Sequence, residues 1–238
     1  LDRRTMVTIT LRVSGDRAKH GEEIAVSDLS AALDAAEGLC WVDIRNPAQE
    51  ERDWLLSRDY HEMAVEDCFK EPVPKAYVYD THRFVVVRPR DADREIDTEF
   101  LCVFVTEDLL VTVRHSAMPA VKNFARRFGS RKIQRRVDLG AEYLLYEMLD
   151  AIADDWYRIL GGYSERIDEL EDRVFDPKVK HPDLLQELHE LKQDLREISK
   201  SVTPLHDVVS RMMRPDQDYI TKSCMMYWQD IFDVLDKL

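Results

Sequence analysis

No stretch of this sequence approaches the roughly 18–20 consecutive apolar residues that span a bilayer, and nothing at Leu1 reads as a secretory leader. The glycine-rich loops G-x-G-x-x-G and G-x-x-x-x-G-K-[ST] are missing, as are the G-x-S-x-G elbow and the H-E-x-x-H zinc helix. His61-Glu62 opens such a helix, but Val65 stands where it needs the second histidine. His115, His181, His189 and His206 are scattered, with Leu185 between the two closest. Cys40, Cys68, Cys102 and Cys224 form no C-x-x-C pair. They predict small buried thiols in a reduced compartment, not disulfides or a zinc knuckle. No enzyme and no catalytic residue is expected. Low-complexity segments and short repeats are also missing.

What is present is charge. Charged residues make up 34% of the 238 residues, and the formal net charge is −13. A high charged share at this length suggests extended solvated helices rather than a sphere. Residues 1–138 carry 25 acids and 22 bases, whereas residues 139–238 carry 22 acids and 12 bases. The acidity belongs to the C-terminal part. Such a surface repels nucleic acid and attracts cations, although solubility alone explains it equally well.

The first 115 residues alternate between strand and helix signals. Strands are expected at 5–13, 39–44, 83–88, 99–106 and 109–115, the last two joined as a hairpin at Glu107-Asp108. Short helices are expected from a Ser27 cap to about Glu37, from an Asn46 cap with Pro47 to about Arg58, at 61–69, and at 118–128 before Gly129. The mixture predicts an α/β/α sandwich around a mixed sheet over residues 1–137.

From Leu139 the pattern becomes helical. Apolar residues step by three or four from Leu145 through Trp156 and Tyr163 to Val174, a helix roughly 55 Å long. Asp176-Pro177 breaks it, and Pro182 marks the next start. The second stripe runs from Leu184 and Leu188 to Val209 and Met212, with Pro204 predicted to kink it near Lys200–Ser201. The two should pack as a long antiparallel hairpin over 138–214. Residues 215–238 read as the beginning of a further helix that does not finish by Leu238.

Two charge clusters have competing readings. Arg126, Arg127, Arg131, Lys132, Arg135 and Arg136 fit a polyanion or lipid-headgroup patch, or a face paired with the acidic helices; the acidic balance favours pairing. Glu142, Glu147, Asp150, Asp154, Asp155 and the acids from Glu165 to Asp172 repel at i,i+4, as in Asp150 with Asp154. A magnesium shell would relieve that repulsion; a solvated face is the alternative.

These residues resemble the CorA magnesium and cobalt transporter family. Trp41-Val42-Asp43-Ile44 with Pro47, and His61 to Phe69, are similar to its early strand and its H-P-L-A-V-E-D-C-L stretch, with Glu62 in place of the proline. Pro74-Lys75, Tyr79-Asp80 and Phe84 to Val87 continue in order. Leu110 to His115 resembles the L-V-T-V-x-H strand, and Leu144 to Asp150 with Asp154-Asp155 the start of the first long helix. Leu191-Lys192 through Pro204-Leu205 resembles the second long helix. The matches cover about residues 39 to 238.

The resemblance implies the cytosolic side of a cell-membrane homopentameric channel for Mg2+ or Co2+, anchored by transmembrane helices lying after Leu238. It implies no nucleic-acid partner. In such proteins Mg2+ bound between subunits favours the closed state. Asp230 matches the family's stalk-helix acid. Its partner falls in the loop after 83–88, where Asp93 matches best and Asp91 is its neighbour. Asp233, Asp154 and Asp155 are further acidic candidates. The Gly-Met-Asn loop that marks the family does not occur in these residues. The zinc-transporting ZntB branch shares the architecture and is the second reading, with Zn2+ as its ion. A coiled-coil scaffold that binds a protein partner is the third.

Overall fold

The computed structural model describes residues 8–14, 21–93, 95–175, 183–215 and 219–238. Seven strands form one mixed sheet: β1 Thr8–Val13, β2 Glu22–Glu23, β3 Cys40–Arg45, β4 Lys75–Val78, β5 Arg83–Val87, β6 Leu101–Val105 and β7 Leu109–Arg114. Their order is β2-β1-β3-β7-β6-β5-β4. β3 and β7 run parallel and the other pairs antiparallel. The interior strands β5, β6 and β7 are buried almost end to end, so they read as continuous apolar runs rather than alternating ones.

Helices α1 Val26–Asp34, α2 Gln49–Ser57 and α3 Glu62–Asp67 cover one face. Leu29, Trp54, Leu55, Ala64 and Val65 pack there on Val42, Ile44, Phe84 and Phe104. The other face is covered by α4 Pro119–Phe128, α5 Arg131–Gln134, α6 Gly140–Phe175, α7 Leu184–Met212 and α8 Met225–Leu235. Trp41 is fully buried against α4, its ring centroid 4.6 Å from that of Phe124 in an edge-on contact and its indole N–H donating to Thr112 Oγ1 at 3.0 Å. The architecture is the expected α/β/α sandwich followed by long helices. All four cysteines are buried and unpaired, as expected.

Several local expectations are corrected. Ser27 does not cap α1: the N-cap is Ala25, and the helix ends at Asp34 rather than Glu37. Asn46 does not cap α2 either. Asn46 sits in the left-handed region at φ 53, the N-cap is Ala48, and Glu51 reaches back to the Ala48 N–H at 2.8 Å. A backward glutamate therefore substitutes for a forward asparagine. β2 and β4 were not expected, because edge strands bury one side and carry a weak pattern. β1 starts at Thr8; residues 5–7 lie outside the described set.

α6 has 36 residues and two environments. Ala141 to Ala153 is almost wholly buried on the sheet, whereas from Gly161 to Val174 only Tyr163 and Leu170 are buried. α7 returns antiparallel to that outer part: Tyr163 donates to Asp194 at 2.9 Å, and Arg173 forks onto Glu187 at 2.6 and 2.9 Å. The stripe's outer residues Val174 and Leu188 stay exposed, because the hairpin tip has only one helix neighbour to bury them. The break at 176–177 and Pro182 lie outside the described residues. α7 runs on through Pro204, which offers no N–H to Lys200's carbonyl. α8 begins at Met225, later than the pattern suggested, after a turn at 219–224; residues 216–218 lie outside the described set.

Candidate metal-binding surface

α8 buries Trp228, Ile231 and Leu235, spaced three and four apart. That spacing turns Asp230 and Asp233 outward, and both are exposed. Asp230 accepts a hydrogen bond from the Tyr146 hydroxyl at 3.2 Å. Tyr146 is 3% exposed, and burial, then the charges of Asp150 and Asp230, holds its phenol far above the ordinary tyrosine range. It therefore stays a donor at any physiological pH. Tyr146 packs on Tyr143 and Tyr227, and Arg136 bonds the Tyr227 hydroxyl at 2.7 Å. Asp230 is thus an exposed carboxylate on a fixed base.

α8 is anchored by Glu142, which is 4% exposed. Glu142 accepts from Arg83 at 3.1 Å, from the Thr221 backbone N–H at 3.0 Å and from the Trp228 indole at 3.2 Å. Sequence reading grouped Glu142 with the solvated acids. Only its position beneath α8 reveals the clamp.

Asp91 and Asp93 lie in the loop from β5 to β6. The Asp93 N–H donates to Asp91 Oδ1 at 2.9 Å, the Asp91 N–H to the Asp97 carbonyl at 2.8 Å, and Arg90 and Thr98 form a bridge across the loop base. Asp93 is exposed and Asp91 half-buried.

Asp154 and Asp155 are occupied by arginine. Arg90 forks onto the buried Asp155 at 2.9 and 3.3 Å, and Arg158 joins it. Arg127 pairs with both Asp150 and Asp154 and approaches the fully buried Glu147 at 3.8 Å. Lys132 bonds Glu147 at 2.7 Å. Arg127 and Lys132 of the basic cluster thus pair with the acidic helix. Within the chain, Arg127 stands between Asp150 and Asp154 and relieves their repulsion.

That cation sets a pH dependence. Burial, then Asp154, raises the Asp150 carboxyl above its ordinary range, and Arg127 pulls it back. Removing Arg127 raises it further. A carboxyl that binds its proton more tightly folded than unfolded destabilises the fold above that pH and ceases to do so as pH falls through the raised range. Arg127→Ala should therefore lose about 1–3 kcal/mol at pH 8, and the deficit should shrink toward pH 5. Urea melts at the two pH values measure it. An equal deficit at both would contradict the repulsion.

Among the described residues, no group of three or more His, Cys, Asp or Glu gathers where it could hold a metal. Asp91, Asp93 and Asp230 are therefore not brought together within one chain. No helix among the described residues is long and apolar enough to cross a membrane.

The chain belongs to the CorA-like Mg2+ transporter protein family, whose model matches residues 36–238. It is 27% identical over 203 residues to the putative metal ion transporter YfjQ of Bacillus subtilis, covering 83% of this chain and 61% of that protein. It is 27% identical over 178 residues to the cobalt/magnesium transport protein CorA of Thermotoga maritima, covering 73% and 50%. The chain therefore spans about half to three-fifths of these relatives. Its fold matches the soluble domain of CorA from Methanocaldococcus jannaschii with TM-score 0.72 and 16% identity, over 98% of this chain and 89% of that one. It matches the ZntB cytoplasmic domain from Vibrio parahaemolyticus equally well, with TM-score 0.72 and 11% identity over 97% and 88%.

Proposed function

We propose that this chain is the cytosolic ion-sensing part of a homopentameric divalent-cation channel of the cell membrane, carrying Mg2+ or Co2+ and joined to the membrane by helices after Leu238. Mg2+ bridges Asp230 of one copy to Asp93, with Asp91 beside it, on the next, and this favours the closed state. The observation that carries the reading is the division of the candidate acids. Asp154 and Asp155 are bound to arginines of their own chain, whereas Asp230 is an exposed carboxylate on α8 seated on the Tyr146 hydroxyl, with exposed Asp233 one turn on. A carboxylate that is exposed and fixed in place is open to an ion bridging it to a neighbouring copy. Mg2+ suits such a place, since it takes a few carboxylates and retains its waters. Without the ion, like charges face one another and the contact loosens. The ion acts by its differential affinity for the closed arrangement, and no bond is made or broken.

The test is thermal melting and sedimentation of the chain with and without millimolar Mg2+, at constant ionic strength. An ion at 100 times its dissociation constant stabilises its preferred state by ~2.7 kcal/mol per site. Mg2+ is expected to raise the melting temperature and the assembled fraction, and Asp230→Ala to remove most of both effects. Unchanged melting and sedimentation in wild type, or an undiminished response in Asp230→Ala, overturns the reading. The equal likeness to the ZntB domain supports a second reading with Zn2+ as the ion. A Zn2+ response at far lower concentration than the Mg2+ response selects it.

A further inference from the structure

A second charged feature lies on the sheet face under α4, bordered by Ala92 of the β5–β6 loop. Cross-strand register places Thr10 and Arg12 of β1, Asp43 and Arg45 of β3, and Thr112 and Arg114 of β7 on the face covered by α4. Arg45 and Arg114 stand directly opposite each other on neighbouring strands. Like charges in that position destabilise a sheet. Asp43 is hydrogen-bonded to Arg114: it is 6% exposed and accepts from Arg114 at 2.8 and 3.0 Å and from Thr112 at 2.8 Å.

Among the described residues, neither Arg12 nor Arg45 is hydrogen-bonded to an acid. The Nε of each is buried without a hydrogen-bond partner. Arg12 lies over the Trp41 ring at 4.7 Å, so its head is covered on that side. Burial lowers the pKa of Arg12, as does Arg114, against the pull of Asp43. A guanidinium does not release its proton in practice, so such a position favours a counter-anion.

The space between these side chains and α4 is a cavity of about 520 Å³. Arg12, Arg45, Arg114 and Lys122 line it, with Asp43 as the opposing charge, in a chain of net charge −13. Its far wall is the start of α4. The N-cap Met118 supplies no side-chain acceptor, Pro119 follows it, and the first turn carries no acid. The positive end of the helix dipole there meets no negative side chain of its own turn. The cavity runs along the sheet face from Trp41 and Asp43 to Arg45 and Arg114, the last residues of the parallel strands β3 and β7.

We propose that this cavity binds a small phosphate-bearing anion of the pyrophosphate or nucleoside-diphosphate class, held by Arg12, Arg45 and Lys122, with Arg114 pre-oriented by Asp43. Guanidinium forks match phosphate oxygens in pairs. The volume exceeds the needs of one phosphate. The Trp41 ring is fully buried under Arg12, so no aromatic plane is open to a base and recognition rests on the phosphates.

Calorimetric titration and melting of the chain in metal-free buffer test this with pyrophosphate and with ADP, against NaCl at equal ionic strength. One site per chain is expected, with a melting rise of about 5–10 °C at 100 times the dissociation constant. Arg45→Gln should weaken binding at least tenfold. It should also melt no lower than wild type without anion, since the Arg45–Arg114 repulsion is gone; the loss is then not unfolding. Lys122→Gln should weaken binding several-fold, and Lys200→Gln on α7 should change nothing. Equal affinities for pyrophosphate and ADP assign the phosphates alone as the recognised group; tighter ADP assigns the nucleotide. No binding, an equal rise with NaCl, or full affinity in Arg45→Gln overturns the proposal.

Discussion

Glu142→Ala is expected to lower stability by about 3–5 kcal/mol, a loss characteristic of removing one partner from a buried charged network. Glu142 sits in the first turn of α6, where its charge also suits the helix dipole. Without its carboxylate, the buried Trp228 indole and the Thr221 N–H lose their acceptor, and Arg83 loses its counter-charge. Each buried donor left unmade costs about 1–3 kcal/mol. The effect is also directional, since these donors belong to β5, to the segment that leads into α8 and to α8 itself. Urea denaturation followed by tryptophan fluorescence reads the loss. Glu142→Gln keeps one acceptor oxygen and should lose less. If Glu142→Ala falls by under about 1 kcal/mol, α8 is held by its apolar side alone. The same variant should blunt any Mg2+ response, because Asp230 rides on the helix that Glu142 holds.

Phe124→Ala is expected to be comparably damaging for a different reason. Phe124 is fully buried between Trp41 and Phe128, with ring centroids at 4.6 and 6.1 Å. Truncation removes the transfer free energy and leaves a cavity that a sheet on one side and α6 on the other cannot close, about 3–5 kcal/mol in all. Phe124→Leu fills most of that volume and should lose under about half as much. Urea midpoints of the two variants measure the difference. Equal losses would mean that the ring contacts, rather than filled space, hold α4 on the sheet.

The two predictions show where sequence reading succeeded and where it stopped. Phe124 was legible as part of a helix against a sheet, because a helix from Met118 ended by Gly129 follows a strong apolar strand. Glu142 was not legible as a clamp. In sequence it is one acid among many on an acidic helix, and its partners lie 59 to 86 residues away. Arg127 shows the same limit: pairing with the acidic helix was favoured, but no pattern tells which acids it takes. Asp154 and Asp155 looked like Asp230 until their arginines were seen. Tyr146, the base beneath Asp230, lies 84 positions away in the chain, and no local pattern marks it as a partner.

Sequence alone determined the alternation of strands and short helices, the long antiparallel hairpin, the buried free cysteines and the family, since each depends on local periodicity or on residues in fixed order. Tertiary structure decided which charges are spent inside the chain and which remain outward, and it gathered four basic side chains from three strands and a helix into one cavity. Electrostatic partnership depends on distance in space, and the residues involved are separated by tens of positions in the chain.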